Sequence, residues 1–205
     1  MLTIDQIRSN YEAGLAQARR YFMGDADVQR AAHRIAAALH EMGIPYVICG
    51  ALAVTAHGHV RLTQHVDVLL TPEGLRRFKE RWLGKGWVER FPGSKGMRDT
   101  EYNVKIDVLL AGDYPGDGKP TPVRFPDPAA VAIDLGGTAT IALPRLIELK
   151  LASGMTAPDR PRDLDDVIQL VRANALPRDF GDVLDPWVRG KFDELWGYSQ
   201  IPVDE

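Results

Sequence analysis

The stretch "YVICGALAVTAHGHVRLTQHVDVLL", Tyr46 to Leu70, decides how the rest of the chain is read. "YVICG" is a short apolar run bounded by Pro45 and Gly50, which reads as a buried strand. "ALAVTAHG" follows as a short helix closed by Gly58. "TQHVDVLL" then reads as a second strand, in which Val66, Val68 and Leu70 alternate with His65, Asp67 and Leu69. Successive strand residues point to opposite faces, so His65 and Asp67 share one face, roughly 6–7 Å apart. An imidazole and a carboxylate are thereby set side by side on a strand that follows a glycine turn.

Upstream, residues 1–42 read as two helices. "TIDQ" offers a capping box, with Thr3 as cap and Gln6 three residues on, followed by Ile4, Ile7, Tyr11, Leu15 and Ala18 at helical spacing. Asp25 or Asp27 caps the second helix, whose apolar face is Val28, Ala31, Ile35, Leu39 and Met42. Downstream, "TPEGLRRFKERWLGKG" predicts a helix capped by Thr71 with Pro72 in its first turn. "WVERF" and "EYNVKIDVLLA" read as paired strands around the loop "PGSKGMRD". "AVAIDLGGTATIAL" reads as a hairpin turning at Gly136–Gly137. From Pro144 the pattern is helical: "PRLIELKLASG", "PRDLDDVIQLVRANA" and "DFGDVLDPWVRGKFDELWG", the first two separated by "ASGMTAPDRP". The expected architecture is α+β, a small mixed sheet flanked by helices. Its parts are N-terminal helices (1–42), an α/β core (43–143) and a C-terminal helical region (144–205).

Composition sets limits on function. The chain has 205 residues, 45% hydrophobic and 26% charged, with a formal net charge of −3. That is an ordinary globular balance, with no global positive field to advertise nucleic-acid binding. No signal-peptide pattern opens the chain and no run of about 18 apolar residues occurs, so a cytoplasmic protein without a membrane span is expected. The single cysteine, Cys49, excludes an intramolecular disulfide and reads as a small core residue.

A second aspartate repeats the theme of the first. In "VKIDVLL", Asp107 stands alone among Val104, Ile106, Val108 and Leu109. A carboxylate in an apolar strand needs a partner or a function, because burying it unpaired is costly. Gly50 at a strand end lets backbone approach a ligand closely.

Together these residues resemble the nucleotidyltransferase superfamily, whose pattern is a Gly-Gly or Gly-Ser turn, a short helix and Asp-x-Asp on a strand. With Gly58, Arg61 and Thr63 in place, "GALAVTAHGHVRLTQHVDVLL" is similar to the AbiEii/MenT-like branch of bacterial toxin-type nucleotidyltransferases. "LIELKLASGMTAPDRPRDLDDVIQLV" resembles the later part of the same branch, so the likeness runs from residue 45 to 172. The resemblance implies a metal-dependent enzyme that binds a nucleotide triphosphate with magnesium or manganese and transfers a nucleotidyl group to an acceptor such as tRNA or protein. It also implies an antitoxin partner, and leaves a homo-oligomer open. Carried over by position, Gly50 and Ala51 form the phosphate-holding turn, and Asp67 and Asp107 are catalytic and metal-binding carboxylates. Arg61, Thr63, Lys150 and Arg162, the last followed by Asp163, are nucleotide-side residues.

His65 falls where the first metal-binding aspartate belongs. Exchanging Asp for His removes a negative charge and substitutes a nitrogen donor that magnesium disfavours. Three outcomes follow: a softer metal on His65, Asp67 and Asp107, a single-metal enzyme, or a degenerate relative that binds nucleotide or a partner without transfer. A zinc cluster from His57, His59, His65 and Asp67 has poor spacing. The basic run Arg76, Arg77, Lys79, Arg81, Lys85, Arg90, Lys95 and Arg98, with Trp82, Trp87 or Phe91 for stacking, reads as an acceptor track or as a solvated helix face with core aromatics. Trp187, Phe192 and Trp196 recur at helical intervals and read as packing residues.

Overall fold

The computed structural model describes residues 26–202. The helix expected from Thr3 therefore lies outside the described residues. Seven strands form one mixed sheet: β1 (Tyr46–Ile48), β2 (His65–Leu70), β3 (Trp87–Glu89), β4 (Met97–Asp99), β5 (Lys105–Leu110), β6 (Ala132–Leu135) and β7 (Thr138–Ile141). Their spatial order is β3-β4-β5-β2-β1-β7-β6. β2 runs parallel to β5 and β1 parallel to β7, while the other neighbours are antiparallel. Helices flank this sheet: α1 (26–41), α2 (Gly50–Ala56), α3 (Pro72–Trp82), α4 (Pro128–Val131), α5 (Leu143–Thr156), α6 (Pro161–Ala173) and α7 (Pro186–Ser199). The expected mixed sheet with flanking helices is what the chain forms. Among the described residues, no helix is long and apolar enough to cross a membrane.

Strand alternation divides the interior into two cores. Val66, Val68 and Leu70 of β2, with Ile106 and Val108 of β5, pack against Val28, Ala31, Ile35 and Leu39 of α1 and Leu75 and Phe78 of α3. On the opposite face Val47, Cys49 and Leu69 meet α5, α6 and α7 through Leu146, Ile147, Leu151, Val167, Leu170, Val188 and Phe192. His65, Asp67, Lys105 and Asp107 thus belong to the face covered by the C-terminal helices, at the strand ends that those helices leave accessible.

Local chemistry fixes the element ends. Thr71 Oγ1 accepts the Gly74 N–H at 3.0 Å, and Pro72 opens α3 with a φ already suited to a helix. The hairpin turns at Gly136 and Gly137, both in the left-handed region. Asp27 lies inside α1 and pairs with Arg30, so it is not that helix's cap.

Four boundaries differ from expectation. Met97–Asp99, read as loop, is strand β4, which separates β3 from β5. Asp99 is fully buried there, accepting from the backbone N–H groups of Glu101 and Tyr102 and pairing with Arg34 at 2.6 Å. An inward-facing aspartate in a three-residue strand breaks the apolar alternation by which strands are recognised. α5 runs on through Thr156, past the residues read as a spacer. Gly154 does not end it: a Cβ there would stand 2.5 Å from Leu164, so this glycine lets α5 and α6 pack closely. The hairpin's first residues form the short helix α4 instead, capped by Asp127. The last helical segment is split into a 3-10 turn, Arg178–Val183, and α7, because Asp185 caps a new helix at Pro186.

Leu69 is fully buried where the sheet meets the C-terminal helices. Leu69→Ala should destabilise the fold by about 2–5 kcal/mol, measured as a lower midpoint in urea denaturation with an unchanged slope.

Candidate active site

The register between β2 and β5 builds the site. His65 lies opposite Lys105, and Asp67 lies opposite Asp107. Parallel neighbours stand about 4.8 Å apart, so the sheet forces two carboxylates together, and like charges directly opposite are destabilising. Cations answer that repulsion. His65 Nε2 lies 3.4 Å from Asp67 Oδ2 and 3.9 Å from Asp107 Oδ2. Lys105 Nζ lies 2.5 Å from Asp107 Oδ2, and an Arg90 guanidinium nitrogen 3.3 Å from its Oδ1.

The Asp67 carboxylate raises the His65 pKa; partial burial opposes this, and the charge of Asp107 adds to it. A basic group whose folded pKa is raised contributes stability that is fully present below its unfolded value, about 6.5, and is lost as pH rises through the folded value.

Gly50 places the first strand–helix junction against the same carboxylate. Its φ is +59°, and a Cβ at this position would come within 1.9 Å of Asp67 Oδ2. No other residue type fits without moving Asp67. Ala51, the next residue, is buried and lines the cleft. The neighbouring Cys49 is buried, as expected; burial and then the Asp67 charge push its thiol pKa up, which leaves it a poor nucleophile.

The site opens into a cleft of about 990 Å³, near the upper end of ordinary ligand pockets. Gly50, Ala51, Arg61, Thr63, His65, Asp67, Asp107, Lys150 and Arg162, all singled out in the sequence, line this one cleft. Their roles there differ. Lys150 is buried, and its ammonium sits between Asp163 at 2.8 Å and Asp166 at 2.5 Å. Arg61 reaches the same Asp166 at 2.9 Å. Burial alone would raise the Asp163 pKa, but the charge and hydrogen bond of Lys150 and the Ser153 hydroxyl at 2.7 Å hold it below the usual carboxylate range. Thr63 Oγ1 donates to the His65 carbonyl, steadying the entry into β2. Arg162 is exposed at the cleft wall beside Arg160.

Lys105, Arg160 and Asp166 were not picked out from the sequence, and Arg90 was read there only as part of the basic run. For Lys105 a signal existed: "KID" has the same cation-x-Asp spacing as "HVD". Seven lysines and arginines line the cleft against four aspartates, an electropositive hollow in a chain whose net charge is −3.

His57, Phe91 and the basic run complete the picture. His57 Nε2 contacts the Ile141 carbonyl at 2.8 Å, away from the site. Among the described residues, the metal-capable group of His, Cys, Asp and Glu is His65, Asp67 and Asp107, with His59 outside it. Much of the basic run is engaged locally. Arg76 pairs with Glu73 and Glu80, Lys79 with Glu89, Lys95 with Asp113, and Arg77 and Arg98 bind backbone carbonyls. Trp87 is core, packed edge-on against Phe78 and Trp82 under the Arg34 guanidinium. Phe91 remains exposed, on the cleft rim.

No family model and no curated protein matches the chain. Solved structures do resemble it. A Thermotoga maritima protein assigned as a nucleotidyltransferase is 15% identical, with a TM-score of 0.48 over 69% of this chain and 92% of its own. ANT(2″)-Ia, solved in complex with adenylyl-2″-tobramycin, is 15% identical, with a TM-score of 0.49 over 79% and 94%. An antigenic nucleotidyltransferase-like protein from Paracoccidioides brasiliensis is 12% identical, with a TM-score of 0.47 over 72% and 77%. Similarity at this level leaves the site to be read from its own geometry.

Two measurements probe that geometry. In an NMR titration the His65 imidazole should titrate above the free-histidine value, and Asp67→Asn should bring it back down. Gly50→Ala, which crowds Asp67 and imposes a strained φ, should cost about 1–2 kcal/mol of stability and alter the same His65 titration.

Proposed function

We propose that this chain is a nucleotidyltransferase that holds a nucleoside triphosphate in the cleft and transfers its nucleotidyl group to a hydroxyl of an RNA or protein acceptor. The observation that carries this reading is the in-register pair Asp67 and Asp107 beside Gly50, set in an electropositive cleft. A hollow lined by Arg61, Lys105, Lys150, Arg160 and Arg162 suits a polyanion, and two carboxylates at its floor suit the control of a phosphoryl centre.

The donor set fits one divalent cation. His65 Nε2 and one oxygen each from Asp67 and Asp107 lie within 4.8 Å of one another; ligands about 2.1 Å from a shared ion stand roughly 3–4 Å apart. The nitrogen donor makes manganese a better match than magnesium. When bound, such an ion supplies positive charge to the phosphate oxygens. The residues do the rest. The cationic wall binds and orients the triphosphate. The acceptor oxygen forms a bond to the α-phosphorus as the bond to the leaving pyrophosphate breaks, and Asp107 takes the hydroxyl proton and passes it to water.

The toxin-type branch, with a cognate antitoxin as partner, is supported by the sequence likeness across residues 45–172 and by Arg61, Thr63, Lys150 and Arg162 sharing the cleft with the carboxylates. One observation favours a second reading, a binding module without transfer: both oxygens of Asp107 are already engaged, by Lys105 and Arg90.

Titration with labelled triphosphates, paired with transfer of α-phosphate label to RNA and protein pools, tests both readings. Triphosphates should bind more tightly than nucleosides, and binding should weaken as salt screens the cleft. Asp67→Asn should reduce transfer by about a hundredfold or more. Binding without transfer to any acceptor would favour the module. Equal binding of nucleoside and triphosphate would overturn the proposal.

A further inference from the structure

We propose that Lys105 is a built-in cation that does at Asp107 what a second divalent ion would do, so that the site admits one exchangeable metal ion and no more. The inference extends the triphosphate-binding reading, on which its purpose rests; the geometry that carries it stands on the floor of the cleft alone.

That floor is a square of four side chains. β2 contributes His65 and Asp67, β5 contributes Lys105 and Asp107, and the strands run parallel with His65 opposite Lys105 and Asp67 opposite Asp107. Each strand thus repeats a nitrogen base two residues before an aspartate. The ammonium of Lys105 lies 2.5 Å from Asp107 Oδ2, and Arg90 takes Oδ1 at 3.3 Å. Among the described residues, the basic group paired with Asp67 is instead the imidazole of His65, at 3.4 Å.

The charges decide the capacity. Two divalent ions held by protein and phosphate oxygens rely on several carboxylates to offset them. Here Lys105 and Arg90 both face Asp107, so two positive charges already meet that one carboxylate before any metal enters. The one ion held among His65, Asp67 and Asp107 thus meets one carboxylate that no lysine or arginine already covers, that of Asp67. A second ion on the Asp107 side would have to displace an ammonium anchored by a strand residue whose backbone is fixed in the sheet. The guanidinium of Arg90, by contrast, comes from just beyond β3, in the segment leading to Phe91 on the rim. Lys105 is therefore the fixed charge and Arg90 the adjustable one.

Manganese binding to the full-length protein, followed by electron paramagnetic resonance, tests this without reference to activity. Lys105→Met and Lys105→Gln should bind manganese about tenfold or more tightly than wild type, or gain an ion that wild type does not bind. Lys105→Arg, which keeps the charge, should behave as wild type, and thermal melting should show each variant folded. Two ions per chain in wild type would overturn the proposal. So would manganese affinities unchanged in both neutral variants, including the case in which no variant binds any. Triphosphate binding measured in chelator is a separate readout: its absence counts against the proposed function and leaves the manganese comparison intact.

Discussion

Two carboxylates held in register on neighbouring parallel strands are the constraint around which this molecule is arranged. The hydrogen-bonded ladder between β2 and β5 fixes Asp67 and Asp107 at a separation that neither side chain can escape. Everything near them is a response. His65 bridges the pair, Lys105 and Arg90 cover Asp107, and Gly50 forgoes a side chain so that Asp67 has room. A sheet with apolar residues at these positions would be simpler to stabilise, so the persistence of so much compensated charge at one cleft is itself a functional signal.

The remainder of the fold holds that floor rigid from below and shapes the space above. Val66, Val68, Ile106 and Val108 lock the same two strands to α1 and α3 on the far side. Above, α5 and α6, packed on each other through apolar side chains such as Leu151, Leu164 and Val167, carry a polar network at the wall: Lys150 and Ser153 on α5, Asp163 and Asp166 on α6, and Arg61 from the segment before β2. Removing one member of such a buried set leaves its partners uncompensated, so these residues are structurally coupled whatever they also do for a ligand.

How much of this was legible depended on the kind of information each residue carries. β2 and α3 announced themselves, because Val66, Val68 and Leu70 alternate cleanly and Thr71–Pro72 is a strong helix start. β4 did not, since its three residues turn a buried Asp99 inward and that burial makes sense only once Arg34, 65 residues away, is in place. Gly154 looked like a helix stop because its purpose, close approach of Leu164, lies on another helix. In the site, the aspartates stood out against apolar neighbours. Lys105 did not stand out, because its meaning comes from lying opposite His65, and strand register is not written in one strand's sequence.

The Arg61–Asp166 pair has a mechanical consequence. Arg61 precedes His65 by four residues, and the same Asp166 oxygen that holds it also holds Lys150 on the cleft wall. The lead-in to β2 and the helical wall are thus tied at a single atom. Two cations share that one oxygen, so the charge state of Asp166 bears on the segment leading into β2 and on the helical wall at once.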